Sequence, residues 1–430
     1  MKLSGRQISA LILAFALTGG NAHALDLVQS YELAKKADPV YLGATEKYKA
    51  DKLVIRQADS ALMPTISGTA GITRYQTSNS GDFDAQGYTL SLTQPILNFG
   101  VFAGIGQARA EVRRAEAEYA AAQQQLMLSV AQAYLGALAA QDNVELAQAE
   151  RNAISQQLEV AEGRLSAGLG TITEVHDARA RFQFSEASLL DAKNKLSDSL
   201  EALGELTGES NESLETLKNE IPTVRPQPEN QAQWVKTAEE QNLSIIASQA
   251  SYDASRKQVQ IQRSGHFPSL ALVGKVSKTE SSPAMTTDGT NNSVGVQLTV
   301  PIFQGGFVSA NTSQAMHLRE AARQQLEASR RSTKRQTRNA YAGVLTGIER
   351  VAALKQAVVA GESALTAKQT GFEAGINTNL EVLNAQRDLF IAKRDYAQTR
   401  YAYILDLLRL KQATGQLSEK DLREVNGWLR

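Results

Sequence analysis

The chain repeats itself. Landmarks of its first half return in its second half at an offset of about 205 residues. Met63-Pro64 returns as Phe267-Pro268, Thr93-Gln94-Pro95-Ile96 as Thr299-Val300-Pro301-Ile302, and Ala133-Tyr134 as Ala340-Tyr341. Gly168, with Glu174-Val175 beyond it, returns as Gly375 with Glu381-Val382, and Thr207-Gly208 as Thr414-Gly415. Any fold must therefore be two copies of one unit. Between them Pro222 to Asn230 carries three prolines and reads as an extended linker. The expected organisation is a leader over 1–24, a first repeat over 25–221, the linker over 222–230, a second repeat over 231–415 and a tail over 416–430.

Each unit reads in one order. A helix is expected over 27–60 and again over 231–264. A strand pair follows. Ile66, Gly68, Ala70 and Ile72 alternate with Thr65, Ser67, Thr69 and Thr73, and Tyr88, Leu90 and Leu92 alternate with Thr89, Ser91 and Thr93. In the second copy the strands are 270–276 and 294–300. Polar loops are expected over 79–86 and 281–292. Period-two patterning with one apolar and one small polar face suits a wall between two solvents, and equally an ordinary half-buried hairpin. A helix without proline then runs over 101–166 and over 307–374, a span of roughly 100 Å at 1.5 Å per residue. The second carries a heptad seam of Tyr341, Val344, Ile348, Val351, Val358 and Leu365, loosened by Lys355 and Glu362. The first is dense in alanine (131, 133, 137, 139 and 140), which allows close helix approach. A turn with glycine reverses the chain, and a last helix returns over 172–206 and 379–413. First and last helices of a unit together match the long one, so they can stack end to end beside it.

Lys2, Arg6, the apolar run Ile8 to Leu17 and Ala22-His23-Ala24 have the form of a secretory leader. No cysteine occurs in the 430 residues, which excludes disulfides, thiolate metal sites and a lipid anchor attached through cysteine. Without Lys2 and Arg6, 45 basic against 45 acidic side chains leave a net charge of about minus two, and no basic stripe recommends nucleic acid. No mature segment is apolar enough for a membrane-spanning helix, so a membrane role must use strands. Four strands cannot close a barrel, and lipid does not tolerate open edges. Three chains would supply twelve strands. No catalytic constellation is visible: His176, His266 and His317 stand apart, Gly104-Ile105-Gly106 lacks the third glycine of a dinucleotide loop, and there is no phosphate-binding loop. Neither enzymatic activity nor a cofactor is expected.

At this point the sequence resembles the TolC family of outer-membrane factors, over essentially all of the mature chain. The resemblance rests on the duplication, on Pro-Ile after the second strand of each copy, and on two turn sequences. These are Arg164-Leu165-Ser166-Ala167-Gly168-Leu169-Gly170-Thr171-Ile172-Thr173-Glu174-Val175 and Gly371-Phe372-Glu373-Ala374-Gly375-Ile376-Asn377-Thr378-Asn379-Leu380-Glu381-Val382. It implies an α+β membrane protein: a homotrimer in the outer membrane with a twelve-stranded barrel, continued by a coiled-coil helical barrel in the periplasm. It implies partners as well, namely outer-membrane lipid, a periplasmic adaptor and an inner-membrane ABC or proton-driven exporter. The adaptor would dock on Arg164, Leu165, Gly168, Leu169, Gly375 and Ile376. The gate would comprise Thr173, Glu174, Glu381, Asn384, Phe372 and Asn377. Asn384 stands where the family has a second acid, and Phe372 and Asn377 stand where a latching Tyr and Arg occur, which puts that latch in doubt. A threefold ring of Glu381 could bind a blocking cation; no resident metal is expected. Glu174 and Glu381 also suit the first turn of a helix for purely electrostatic reasons.

Three functional readings stay open on these grounds: an export duct, a periplasmic coiled-coil scaffold without a pore, and an enzyme, for which no site is seen. Within the first, cargo could be protein passed by type I secretion or small toxic compounds. The lack of a lipid anchor tilts the expectation toward protein, since many drug-efflux relatives are lipidated.

Overall fold

The computed structural model describes residues 24–76, 82–209, 213–282 and 288–430. The leader expected over 1–24 lies outside the described residues except for Ala24. So do the loop segments 77–81 and 283–287.

The unit is built twice, with one refinement. The single first helix expected in each copy is divided. In copy one it forms α1 (Leu27–Ala37), α2 (Pro39–Lys52) and α3 (Val54–Ser60); in copy two it forms α6 (Gln231–Gln241) and α7 (Leu243–Arg263). The main breaks fall at equivalent places for one reason. Asp38 leaves the helical region and accepts hydrogen bonds from the N–H groups of Val40 and Tyr41, with Pro39 opening α2. Asn242 does the same for Ser244 and Ile245. A capping side chain satisfies the orphan donors of a new helix, so a break there costs little.

The long helices are α4 (Phe99–Ser166) and α8 (Phe307–Glu373), and the return helices are α5 (Ile172–Thr207) and α9 (Asn379–Ala413). In copy one α2 and α3 lie along α4 and α5 continues beside it; α7 and α9 lie along α8, and the copies join through α4 against α7 and α9. Tyr341, Val344 and Val351 of the seam are buried, while Ile348, Val358 and Leu365 are half-buried. Lys355 and Glu362 do not sit in the seam. Both are exposed and ion-paired, Lys355 with Glu220 at 2.7 Å and Glu362 with Lys393 at 2.8 Å.

Four strands form one antiparallel sheet in the order β1 (Thr65–Tyr75), β2 (Phe83–Leu97), β3 (Ser269–Ser282), β4 (Gly289–Thr299). The strands are longer than expected. Phe83 to Gln86, Ser281, Ser282 and Gly289 to Asn292, read from sequence as loop, are in the ladder. Their polarity marks the end of the apolar band, and pairing continues beyond it. The ladder slips at Pro95, where the ring removes the donor that regular pairing needs. Register sorts the faces. Ile66, Leu92, Gly274 and Val294 lie side by side on one; Thr65, Thr93, Val273 and Gly295 on the other. β1 and β4 each pair with a single neighbour in the chain.

The main core lies at the waist, where α1, α4, α8 and α9 meet and Tyr134, Leu135, Leu138, Val344, Tyr403, Ile404 and Leu408 are fully buried. The two ends of the chain close it. Leu25 bridges to Leu214, and Leu217 to Leu429. The Tyr134 hydroxyl lies 2.9 Å from the carbonyl oxygens of both Leu25 and Glu215. The expected tail carries α10 (Glu419–Asn426), whose Leu422 and Val425 are buried in that core. Asn426 Oδ1 accepts the N–H groups of Leu27 at 3.0 Å and Val28 at 3.3 Å, capping α1 from the far end of the sequence.

Candidate functional site at the helical tips

The turns between α4 and α5 and between α8 and α9 form the end of the helical body away from the sheet. Each uses a glycine in the left-handed region, Gly168 at φ 69° and Gly375 at φ 74°, where a side chain would be strained. In each the helix is closed by a backbone bond across the turn, Leu169 N–H to Arg164 O at 2.8 Å and Ile376 N–H to Gly371 O at 2.7 Å. The apolar residues of these turns have nowhere to go within the chain: Leu169 is 71% exposed and Ile376 80% exposed. Thr173 is exposed as well.

Both acids cap their own helices. Thr171 and Glu174 form a reciprocal capping box, with Thr171 N–H on Glu174 Oε2 at 3.1 Å and Glu174 N–H on Thr171 Oγ1 at 3.3 Å. Glu381 forms the equivalent box with Thr378, whose N–H lies 2.8 Å from Oε2. It also accepts Asn377 Nδ2 at 3.0 Å and Lys368 Nζ at 3.0 Å. The Thr378 N–H, the Asn377 amide and the Lys368 ammonium together hold its carboxyl down to about 2. Glu174 and Glu381 are thus each turned onto their own cap, and the hydrogen bonds among the described residues do not bring them together.

Contacts between the two copies lie beside these caps. The Arg164 guanidinium stacks over the Phe372 ring at 4.8 Å from its centroid, and its Nη2 donates to Leu169 O at 3.3 Å. Arg164 is therefore folded against its own tip and the neighbouring one. Phe372, where the latching tyrosine was sought, is buried beneath it. Arg181 Nη2 donates to Asn384 Oδ1 at 2.8 Å, and Gln157 Nε2 donates to Asn379 Oδ1. Leu165 packs on a small core of Ile154, Ala161, Val175, Ala178 and Leu383. Sequence reading missed Lys368, Arg181 and Gln157. Each reaches its partner across a helix interface, and no local spacing announces such a contact.

A four-stranded amphipathic sheet with both edges open, set on a helical body of roughly 100 Å, defines a class: outer-membrane channels whose barrel is shared between chains. The chain belongs to the outer membrane efflux protein family, which it matches over residues 47–209 and 234–416. It is 35% identical to outer membrane protein TolC of Vibrio cholerae over 411 residues, 94% of each chain. It is 29% identical to alkaline protease secretion protein AprF of Pseudomonas aeruginosa, over 94% of this chain and 87% of that one. Its fold is similar to the crystal structure of CusC, with a TM-score of 0.80 at 18% identity, covering 91% of this chain and 92% of that one. Three copies of the sheet close a twelve-stranded barrel in the outer membrane, and the helices form the periplasmic tunnel.

Proposed function

We propose that this channel is the exit duct of a three-part exporter and that its cargo is protein, delivered by an inner-membrane ABC transporter through a periplasmic adaptor. The observation that carries the docking reading is the pair of exposed apolar tips. Leu169 and Ile376 stand in solvent on rigid glycine turns at the end away from the membrane, and exposed apolar groups clustered on a rigid frame suit a partner surface. Gly168 and Gly375 shape that surface, with Arg164 and Leu165 supporting it from below. The likeness to a protease secretion protein supports protein as cargo.

The gate lies just inside. Thr173, Glu174, Glu381 and Asn384 follow the two turns, and Phe372 and Asn377 hold them in place. In the trimer Glu381 occurs three times about one axis and stays ionised at all physiological pH, each carboxylate with Lys368 at 3.0 Å, so the mouth favours cations only to the extent that the carboxylates stand nearer the axis than their ammonium partners. Disrupting the gene in its host tests the cargo. Loss of a secreted protein from the medium, restored by the intact gene but not by Leu169→Glu with Ile376→Glu, is the expected result. Unchanged secretion with new sensitivity to small toxic compounds would assign the duct to small-molecule efflux instead. Failure of the double variant to lose adaptor cross-linking would move the docking surface elsewhere.

A further inference from the structure

The sheet distributes its charges unevenly. On the face that carries Ile66, Leu92 and Val294 the charged side chains are paired: Arg74 with Asp84 at 2.9 Å and Lys278 with Glu280 at 2.6 Å. That apolar face meets lipid. The opposite face lines the lumen and is mostly hydroxyl, amide and small side chains, with Tyr75, Phe83 and Val273 among them. Among its described strand residues one side chain is charged. Ser67 pairs with Ser91, Ser91 with Lys275 and Lys275 with Ser293, so a single row across the sheet reads Ser, Ser, Lys, Ser. Lys275 is exposed, and its ammonium has no carboxylate within 4.0 Å among the described residues. Asp82 and Asp288 lie at the loop end, beyond the strands. Ser282 at the top of β3 is seven residues from Lys275, about 20 Å along the strand, more than two screening lengths at physiological salt. The loop segments 77–81 and 283–287 contain no ionisable side chain in the sequence.

We propose that the three Lys275 ammonium groups form an anion-attracting ring inside the barrel, a selectivity station at the outer-membrane end. The inference rests on barrel closure and is independent of the cargo. Twelve strands spaced by about 4.8 Å and tilted by about 40° enclose a radius of roughly 12 Å at the backbone. A lysine side chain spans about half of that, which leaves the ammonium groups roughly 10 Å apart, close to one Debye length. Their fields overlap across the lumen. Anionic side chains of cargo, or small anions, are drawn to this level, and cations are held off. Its sign is opposite to that of the carboxylates at the tips.

The chain contains no cysteine, so a single introduced thiol reports local potential. Ser91→Cys places one beside Lys275, reached from outside through the barrel mouth. We expect an anionic methanethiosulfonate reagent to outpace a cationic one of like size at low ionic strength. Adding Lys275→Gln should lower that rate ratio about tenfold, and the difference should shrink in high salt. Lys278→Gln, on the lipid face, should leave it unchanged. A ratio indifferent to Lys275→Gln in trimers that still migrate as such overturns the ring. A thiol at Ser91→Cys that fails to react while Leu90→Cys does would show the faces reversed, which overturns the ring through its placement. In a planar bilayer, Lys275→Glu should shift the reversal potential toward cations.

Discussion

The waist and the tips of the helical body use the same kind of helix and are held together differently. At the waist the large side chains are apolar and fully buried, and Tyr134 and Tyr403 turn their hydroxyls onto backbone groups of the chain's own connections. Burial pushes both phenols up, Tyr134 well above the usual range, so they stay neutral donors. At the tips the buried apolar cluster is five small or aliphatic residues, with Val382 and Phe372 buried beside it, and the copies meet through Gln157 with Asn379, Arg181 with Asn384 and Arg164 with Phe372. Apolar burial of a Leu or Phe side chain is worth about 1.5–3 kcal/mol, whereas a polar contact is worth about 1 kcal/mol net, and of the two hydrogen bonds between the copies here only Gln157 with Asn379 is buried. The waist therefore holds the body more firmly than the tips are held to one another.

The largest test of this contrast is at the waist. Leu408→Ala should cost about 2–5 kcal/mol and lower the Tm of the trimer, because a buried leucine leaves a cavity there. If its effect on Tm were no larger than that of a tip variant, the contrast would fail. Phe372→Ala should come next. Removing the buried ring beneath Arg164 should cost about 2–3 kcal/mol, most of it local, raising amide exchange around residues 365–383 about thirtyfold or more with a smaller fall in Tm than Leu408→Ala gives. Slower or unchanged exchange would mean that the stack does not hold the tips.

Asn384→Asp sharpens the comparison in a different way. From sequence, that acid would add a second charged ring. With Arg181 at 2.8 Å, the new carboxylate should instead pair with it and tighten the tips by up to about 1 kcal/mol, leaving cation selectivity little changed. A marked gain in selectivity would restore the ring reading. The smallest effect concerns the cap at Glu381. Its carboxyl is held at about 2 against an ordinary 4.5, so the stabilisation is present above 4.5 and is lost as pH falls toward 2. Exchange protection of the α9 first turn should fall across that window in the wild type. In Glu381→Gln it should stay flat.

The architecture was legible because it is periodic. Duplication, proline-free helices and alternating strands each leave a repeating trace, and the Gly168 and Gly375 turns stand at their expected places. The divided first helix also had its signals in Asp38-Pro39 and Asn242, which the periodicity outweighed. Two features were hidden for a physical reason. Helix α10 has no counterpart in the other repeat, so its Ser418–Asp421 capping box and its Leu422 and Val425 had nothing to be compared with. The partners of Glu381 and Asn384 sit on neighbouring helices, and a partner set by packing cannot be counted off along a chain.

The cap on α1 has a consequence in time. Asn426 supplies the acceptor for Leu27 and Val28 across a separation of 399 and 398 residues, and Leu429 completes the bridge that begins at Leu217. Synthesis and secretion both run from the first residue to the last. Asp26 caps the Gln29 N–H of the earliest helix at once, but the Leu27 and Val28 N–H groups wait for Asn426. Closure of such distant contacts is slow, and each half can pair its helices locally in the meantime. Until Leu422, Val425 and Leu429 reach it, that part of the waist core stays unfilled, so the contact that joins residues 399 positions apart is also the one that forms last.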